Sequence, residues 1–68
     1  MSKKETYFVS LVYTIMTRDG RQSISLRSLS TKATSENEAL GTAINFFEED
    51  VDGYSLSMHT VIKANSIE

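Results

Sequence analysis

The chain lacks cysteine, proline and tryptophan, and it contains a single histidine, His59. Without cysteine there is no disulfide and no thiolate metal site, and one histidine cannot build a histidine cluster. The apolar stretch near the start is interrupted by Ser10, Tyr13 and Thr14, and it is too short to cross a bilayer. We therefore expect a cytoplasmic protein that has no disulfide and no association with a membrane.

The length of 68 residues and the net charge of −2 limit the remaining possibilities. We expect one domain over residues 1–68, with an ordered core at about 6–64 and flexible ends at 1–5 and 65–68. A domain of this size buries only about 60% of the surface that its unfolded chain exposes, so self-association is an expected source of stability. The negative net charge provides no general attraction for nucleic acid.

Residues 6–17 alternate between two faces, which predicts a β-strand. One face carries Tyr7, Val9, Leu11, Tyr13 and Ile15, and the other carries Phe8, Val12 and Met16. The following Asp19-Gly20 predicts a two-residue type I′ hairpin, in which Ile15 faces Ile24 and Tyr13 faces Leu26. A β-bulge near Arg27-Ser28 would then bring Leu29 beside Leu11, Thr31 beside Val9 and Ala33 beside Tyr7, and would mark the second strand as an edge strand.

The segment "TSENEALGTAINFFEED" has the pattern of an amphipathic helix. Ser35 and Glu38 form an S-x-x-E capping box, and Gly53 predicts an end near residue 50. The expected buried stripe is Leu40, Ala43, Ile44, Phe47 and Val51.

The segment "YSLSMHTVIKA" alternates again and predicts the last strand. Its expected core residues are Tyr54, Leu56, Met58 and Ile62, whereas Ser55, Ser57, His59, Val61 and Lys63 point away. The chain thus reads as a two-layer α+β domain of order ββαβ, with an antiparallel three-stranded sheet of order 2-1-3. One helix covers one face of this sheet.

The uncovered sheet face, here called the open face, is the one that carries Phe8, Val12 and Met16. It is expected to carry mostly serine and threonine besides, with Arg27, Lys32, Lys63 and His59 on or near it. An ordinary solvated face of an antiparallel sheet is one interpretation. A protein interface, with another protein or with a second copy, is the other.

Four carboxylates at the end of the helix, here called the acidic run, form a second candidate surface: Glu48, Glu49, Asp50 and Asp52. A helix C-terminus favours positive charge, so acid there needs an explanation. The run lacks the alternating ligands of a calcium-binding EF-hand loop. Surface ion pairs with Arg18 and Arg21 are one explanation, and recognition of a basic partner is the other.

Three single residues complete the candidates. Phe46 lies off the buried stripe, either as a lid over the core edge or as an exposed anchor for a partner. Gly41, in mid-helix, indicates either close approach of another backbone or simple tolerance. His59 lies two residues from Ser57 on the same expected face, but nothing suggests a cleft or an oxyanion hole, and we predict no enzymatic activity and no cofactor.

The hairpin, the "ATSENEAL" helix start and the closing strand together resemble very small, cysteine-free ββαβ proteins of bacteriophages and mobile elements. Some of those proteins are anti-CRISPR inhibitors that bind defence complexes. The resemblance implies a protein-binding module that acts by covering a surface of another protein complex. A self-associating structural protein, paired through its sheet face or edge, is the alternative, and a nucleic-acid binder using Arg27, Lys32 and Lys63 is less favoured because the basic residues are few.

Overall fold

The computed structural model describes residues 3–64 and consists of three strands and one helix. Strand β1 spans Glu5–Met16, β2 spans Gln22–Ala33, helix α1 spans Glu36–Phe47 and β3 spans Ser55–Lys63. Glu5, which was expected in a flexible end, belongs to β1, where it pairs with Ala33. The rest of the predicted flexible ends lies partly outside the described residues, at 1–2 and 65–68.

The sheet is antiparallel in the order β2-β1-β3, and α1 packs on one of its faces. The predicted two-layer ββαβ fold is therefore confirmed. The core lies between α1 and the face of β1 that carries Tyr7, Val9, Leu11 and Tyr13, which we call the helix-side face. Val9 and Leu11 are almost completely inaccessible to solvent, because the central strand is covered by the helix above it and flanked on both edges.

The β1–β2 connection is a three-residue loop, Arg18 to Gly20, and the predicted type I′ turn is wrong. The amide of Thr17 donates to the Arg21 carbonyl (2.7 Å), and the amide of Gly20 donates to the Thr17 carbonyl (3.0 Å). Gly20 has φ of 83°, while no residue other than glycine has a positive φ among those described. A type I′ turn needs positive φ at both central residues, so Asp19 excludes it.

The longer loop shifts the pairing of β2 by one residue relative to the prediction. Ile15 faces Ser23, Val12 faces Leu26, and Val9 faces Leu29, without any bulge in β2. Because directly opposite residues share a face, Leu26 lies on the open face together with Ile24. Leu29 and Ala33 still lie on the helix-side face, but Leu29 pairs with Val9 instead of Leu11.

The irregularity that was predicted for β2 lies in β3. Val12 pairs with Met58 but Tyr13 pairs with Leu56, so Ser57 is an inserted residue. The insertion reverses the faces expected for part of the strand: Met58 and Ile62 lie on the open face, whereas Val61, His59 and Lys63 lie opposite Val9, Leu11 and Tyr7 on the helix-side face.

Helix α1 begins after Ser35, whose hydroxyl accepts a hydrogen bond from the Glu38 amide (3.2 Å), as the capping pattern predicted. The buried line is Ala39, Ala43 and Phe47, with Leu40 and Ile44 partly buried beside it. The helix ends at Phe47, about one turn before the predicted end, and the chain continues through turns to Gly53.

The carboxylate of Glu38 contacts Thr34 rather than closing the capping box on Ser35. The Thr34 hydroxyl donates to Glu38 Oε2, and this hydrogen bond lowers the pKa of Glu38. A pKa that is lower in the folded state stabilises the protein above the unfolded pKa, and this stabilisation disappears as pH falls through the folded pKa.

We expect Thr34→Val to raise the Glu38 pKa in an NMR titration; an unchanged pKa would contradict the role of the hydroxyl.

Candidate functional site

The open face has a continuous apolar row across all three strands. Leu26 on β2, Val12 on β1 and Met58 on β3 are directly opposite one another. Toward the hairpin loop, Ile24 occupies the next open-face position of β2, and Met16 lies beyond Thr14 on β1. A cross-strand row of this kind is a surface patch rather than a set of isolated exposed residues.

A second apolar pair lies near the other end of the open face, where Phe8 is opposite Ile62. Between the two apolar groups runs a row of small hydroxyl side chains, Ser28, Ser10 and Thr60. Six large apolar side chains of the open face are 42–69% exposed: Phe8, Met16, Ile24, Leu26, Met58 and Ile62. The face therefore offers apolar contact area that the protein itself does not bury.

Most of the charged residues predicted near Phe8, Val12 and Met16 do not lie on the open face. Lys32, opposite Thr6, lies at one corner of the open face. Arg27 and His59 face Leu11 from its two sides, and Lys63 faces Tyr7, so these three lie on the helix-side face. Among the paired strand positions of the described chain, Lys32 is the one charged residue on the open face.

Lys63 is held by an ion pair, with its Nζ 2.8 Å from Oε2 of Glu5. The hydrogen bond and the charge of Glu5 raise the pKa of Lys63. Arg27 instead donates to the carbonyl of its neighbour Leu26. Since Arg27, Lys32 and Lys63 are divided between two faces and one of them is neutralised, they do not form the single basic patch that a nucleic-acid surface requires.

Ser57 and His59, which were expected to share a face, lie on opposite sides of the sheet. The Ser57 hydroxyl is hydrogen-bonded to the Thr14 hydroxyl (2.6 Å) on the open face, while His59 is opposite Leu11. The inserted residue in β3 causes this separation. The two side chains therefore do not form a nucleophile–base pair.

The acidic run follows the end of α1 in exposed turns, where Glu48, Glu49 and Asp52 line a depression of about 470 Å³. The predicted ion pairs with Arg18 and Arg21 are not formed: the ion pair of Arg21 is with Asp19, at 3.4 Å. Within residues 3–64 no group of three acidic or histidine side chains is arranged to hold a metal ion. The run is thus a solvated acidic surface at the hairpin end of the sheet.

Phe46 is 71% exposed and contacts Phe47 edge-on, with ring centroids 5.0 Å apart. It is therefore not a lid over the core, and the role of an anchor for a partner stays a prediction. Gly41 has open space where a Cβ would be added, so no other backbone segment within residues 3–64 approaches it closely.

Tyr13 is the buried residue whose polar group is not satisfied. The side chain is buried, and its hydroxyl has no hydrogen-bond partner among the described residues. Burial raises the pKa of this hydroxyl, although the charge of Arg27 acts in the opposite direction.

We expect Tyr13→Phe to leave the free energy of unfolding unchanged or to raise it by up to about 1 kcal/mol, because it removes a desolvated, unpaired hydroxyl. Urea denaturation followed by circular dichroism measures the change. Tyr54→Phe, at a half-buried position, is the control and should have little effect. A clear loss of stability in Tyr13→Phe alone would show that the hydroxyl is paired in solution.

Comparisons with protein families, with curated proteins and with solved structures found no match to this chain. No helix in the described part of the chain has the length and apolar character needed to cross a membrane. Function is therefore inferred from the surfaces of the described residues.

Four open-face residues were missed by the sequence prediction: Ile24, Leu26, Met58 and Ile62. Ile24 and Leu26 were expected in the core because the predicted hairpin loop is one residue too short, and Met58 and Ile62 because the prediction lacks the bulge in β3. A regular β2 extended back from Leu29 and Ala33 would have placed Ile24 and Leu26 on the open face.

Proposed function

We propose that this protein is a small, non-enzymatic binding module whose working surface is the open face. The observation that supports the proposal is the row of Leu26, Val12 and Met58, extended by Met16 and Ile24 and left accessible by the fold. Burying one such side chain against a partner contributes about 1.5–3 kcal/mol. The face therefore carries enough apolar contact to bind another chain without any catalytic chemistry.

The resemblance to phage-encoded inhibitors indicates which partner to expect if the open face binds a different protein. If the target is a bacterial defence complex, the module would inhibit it by covering a surface that the complex needs. The acidic run (Glu48, Glu49, Asp50 and Asp52) lies outside the sheet faces and would be a second point of contact with a basic partner.

A pull-down from a bacterial lysate tests the open face, with tagged wild type, Val12→Asp and Phe46→Asp as baits. Val12 is central on the open face, while Phe46 is the matched control, because the same change is made there at an exposed position on the helix. We expect quantitative mass spectrometry to show partners retained by wild type and Phe46→Asp and reduced at least about tenfold by Val12→Asp, since a buried carboxylate without a partner is costly. Circular dichroism checks that each bait is folded.

Equal recovery of every partner by wild type and Val12→Asp would refute the open face as the working surface. Loss of partners in Phe46→Asp alone would move the binding surface to the outer side of the helix.

A further inference from the structure

We infer that the open face binds a second copy of this chain. This rests on the proposed function, because it names the partner of the same surface. The arrangement is an isologous dimer in which two open faces pack against each other, so that each copy contributes the same patch. The result is two three-stranded sheets face to face, about 10 Å apart, with one helix on each outer side.

The surface area is the first argument. Three strands of up to 12 residues present a face of roughly 500 Å² in projection. Two such faces reach the total of about 1,000 Å² that a specific interface needs.

The distribution of charge is the second argument. The open face carries Lys32 at one corner, and its other positions on paired strands are apolar, hydroxyl or amide residues. A charged partner would find almost no complement there, whereas two neutral faces meet without repulsion. The net charge of −2 per chain is carried mainly away from this face and adds little repulsion between copies.

The small core is the third argument. Nine of the described residues form the buried cluster, and all nine lie between the helix-side face and α1 or at its ends. A domain of 68 residues gains little from one such layer and is commonly supported by oligomerisation. Packing two open faces creates a second apolar layer from Phe8, Val12, Leu26, Met58 and their neighbours, without any change in the fold.

Sedimentation equilibrium of the full chain over a wide concentration range gives the mass directly. We expect wild type and Phe46→Asp to be dimers that dissociate on dilution. Val12→Asp and Leu26→Asp should raise the dimer dissociation constant at least about tenfold, because each places a carboxylate in the centre of the contact. Using two variants protects the test against one that fails to fold, and circular dichroism identifies such a failure.

NMR of isoleucine methyl groups locates the contact. Ile24 and Ile62 lie on the open face, whereas Ile15 and Ile44 lie on the helix side, so the same residue type serves as probe and control. We expect the methyl signals of Ile24 and Ile62 to shift on dilution, while those of Ile15 and Ile44 stay in place.

The outcomes separate this inference from the proposed function. A wild type that remains monomeric at all concentrations, but whose capture of another protein depends on Val12, overturns the second-copy inference alone. A monomer whose binding is also unaffected by Val12→Asp overturns both. A dimer that is insensitive to Val12→Asp and Leu26→Asp, and that protects outward β2 amides from hydrogen exchange, places the second copy on the β2 edge and overturns the face-to-face arrangement.

Discussion

Phe47→Ala should leave the protein largely unfolded at 25 °C, while Phe46→Ala should leave it folded. Phe47 is 7% exposed and belongs to the core, whereas its neighbour is 71% exposed. Truncating a buried phenylalanine costs about 3–5 kcal/mol through lost burial and the cavity that remains. A 68-residue domain has a total stability of about 3–10 kcal/mol, so this single loss is comparable with the whole.

The matched change at Phe46 removes the edge-on ring contact with Phe47 and little else. Such a ring pair is worth about 0.5–1.5 kcal/mol, which sets the upper limit of the expected loss. Urea denaturation followed by far-ultraviolet circular dichroism measures both variants. Similar losses for the two variants would mean that Phe46 is buried in solution, by the helix side of this chain or by a partner.

Ala43→Leu should lower the free energy of unfolding by about 1–3 kcal/mol or more, although it adds apolar volume. Ala33, Ala39 and Ala43 are all inaccessible to solvent. They mark the place where α1 approaches the sheet so closely that only a methyl group fits. A larger side chain there must push the helix away from the strands or adopt a strained rotamer.

Asn45→Leu is the control, because position 45 is exposed on the same helix. It should leave the stability unchanged or raise it slightly, because leucine has the higher helix propensity. Thermal unfolding of the two variants should give changes in stability of opposite sign or of clearly different size. A stabilising Ala43→Leu would show unfilled space between the helix and the sheet.

The order of elements, the central position of β1 and the capped start of α1 could all be predicted from the sequence. These features depend on local patterns: alternation over residues 6–17, a Ser-x-x-Glu box and the antiparallel direction of consecutive elements. The predicted helix end is too late, because Gly53 is not the C-terminal residue of the helix. In the structure Gly53, with φ of 86°, instead ends the turns that follow the helix and leads into β3.

The register of the two edge strands could not be predicted with the same patterns. Asp-Gly fits both a two-residue turn and a three-residue loop with glycine last, and the two differ by one residue in pairing. Since side chains alternate with a period of two, that single residue decides whether Ile24 and Leu26 are core or surface. The inserted Ser57 has the same effect on Met58 and Ile62.

The sequence thus predicted the residues of the central strand on the open face, but not the apolar residues that the two edge strands add to it. Phe8, Val12 and Met16 lie on the strand whose alternation is clearest, and the structure leaves them on the open face. Arg27, His59 and Lys63 were expected on or near that face but lie on the helix-side face, whereas Lys32 lies at one corner of the open face as expected. The open face therefore has more apolar residues than expected, in two groups that are separated by a row of hydroxyl side chains.

The two strands that pair with β1 are separated from it by very different lengths of chain. Met16 meets Gln22 across a short loop, whereas Thr14 meets Ser55 only after the whole helix has been passed. We therefore expect the β1–β2 hairpin to form early in folding. The pairing of β1 with β3 should form later, because long-range pairing carries a larger closure entropy. Before its own β3 pairs, the same edge of β1 can pair with the β3 strand of a neighbouring molecule. Refolding at high protein concentration therefore favours dimers that have exchanged β3.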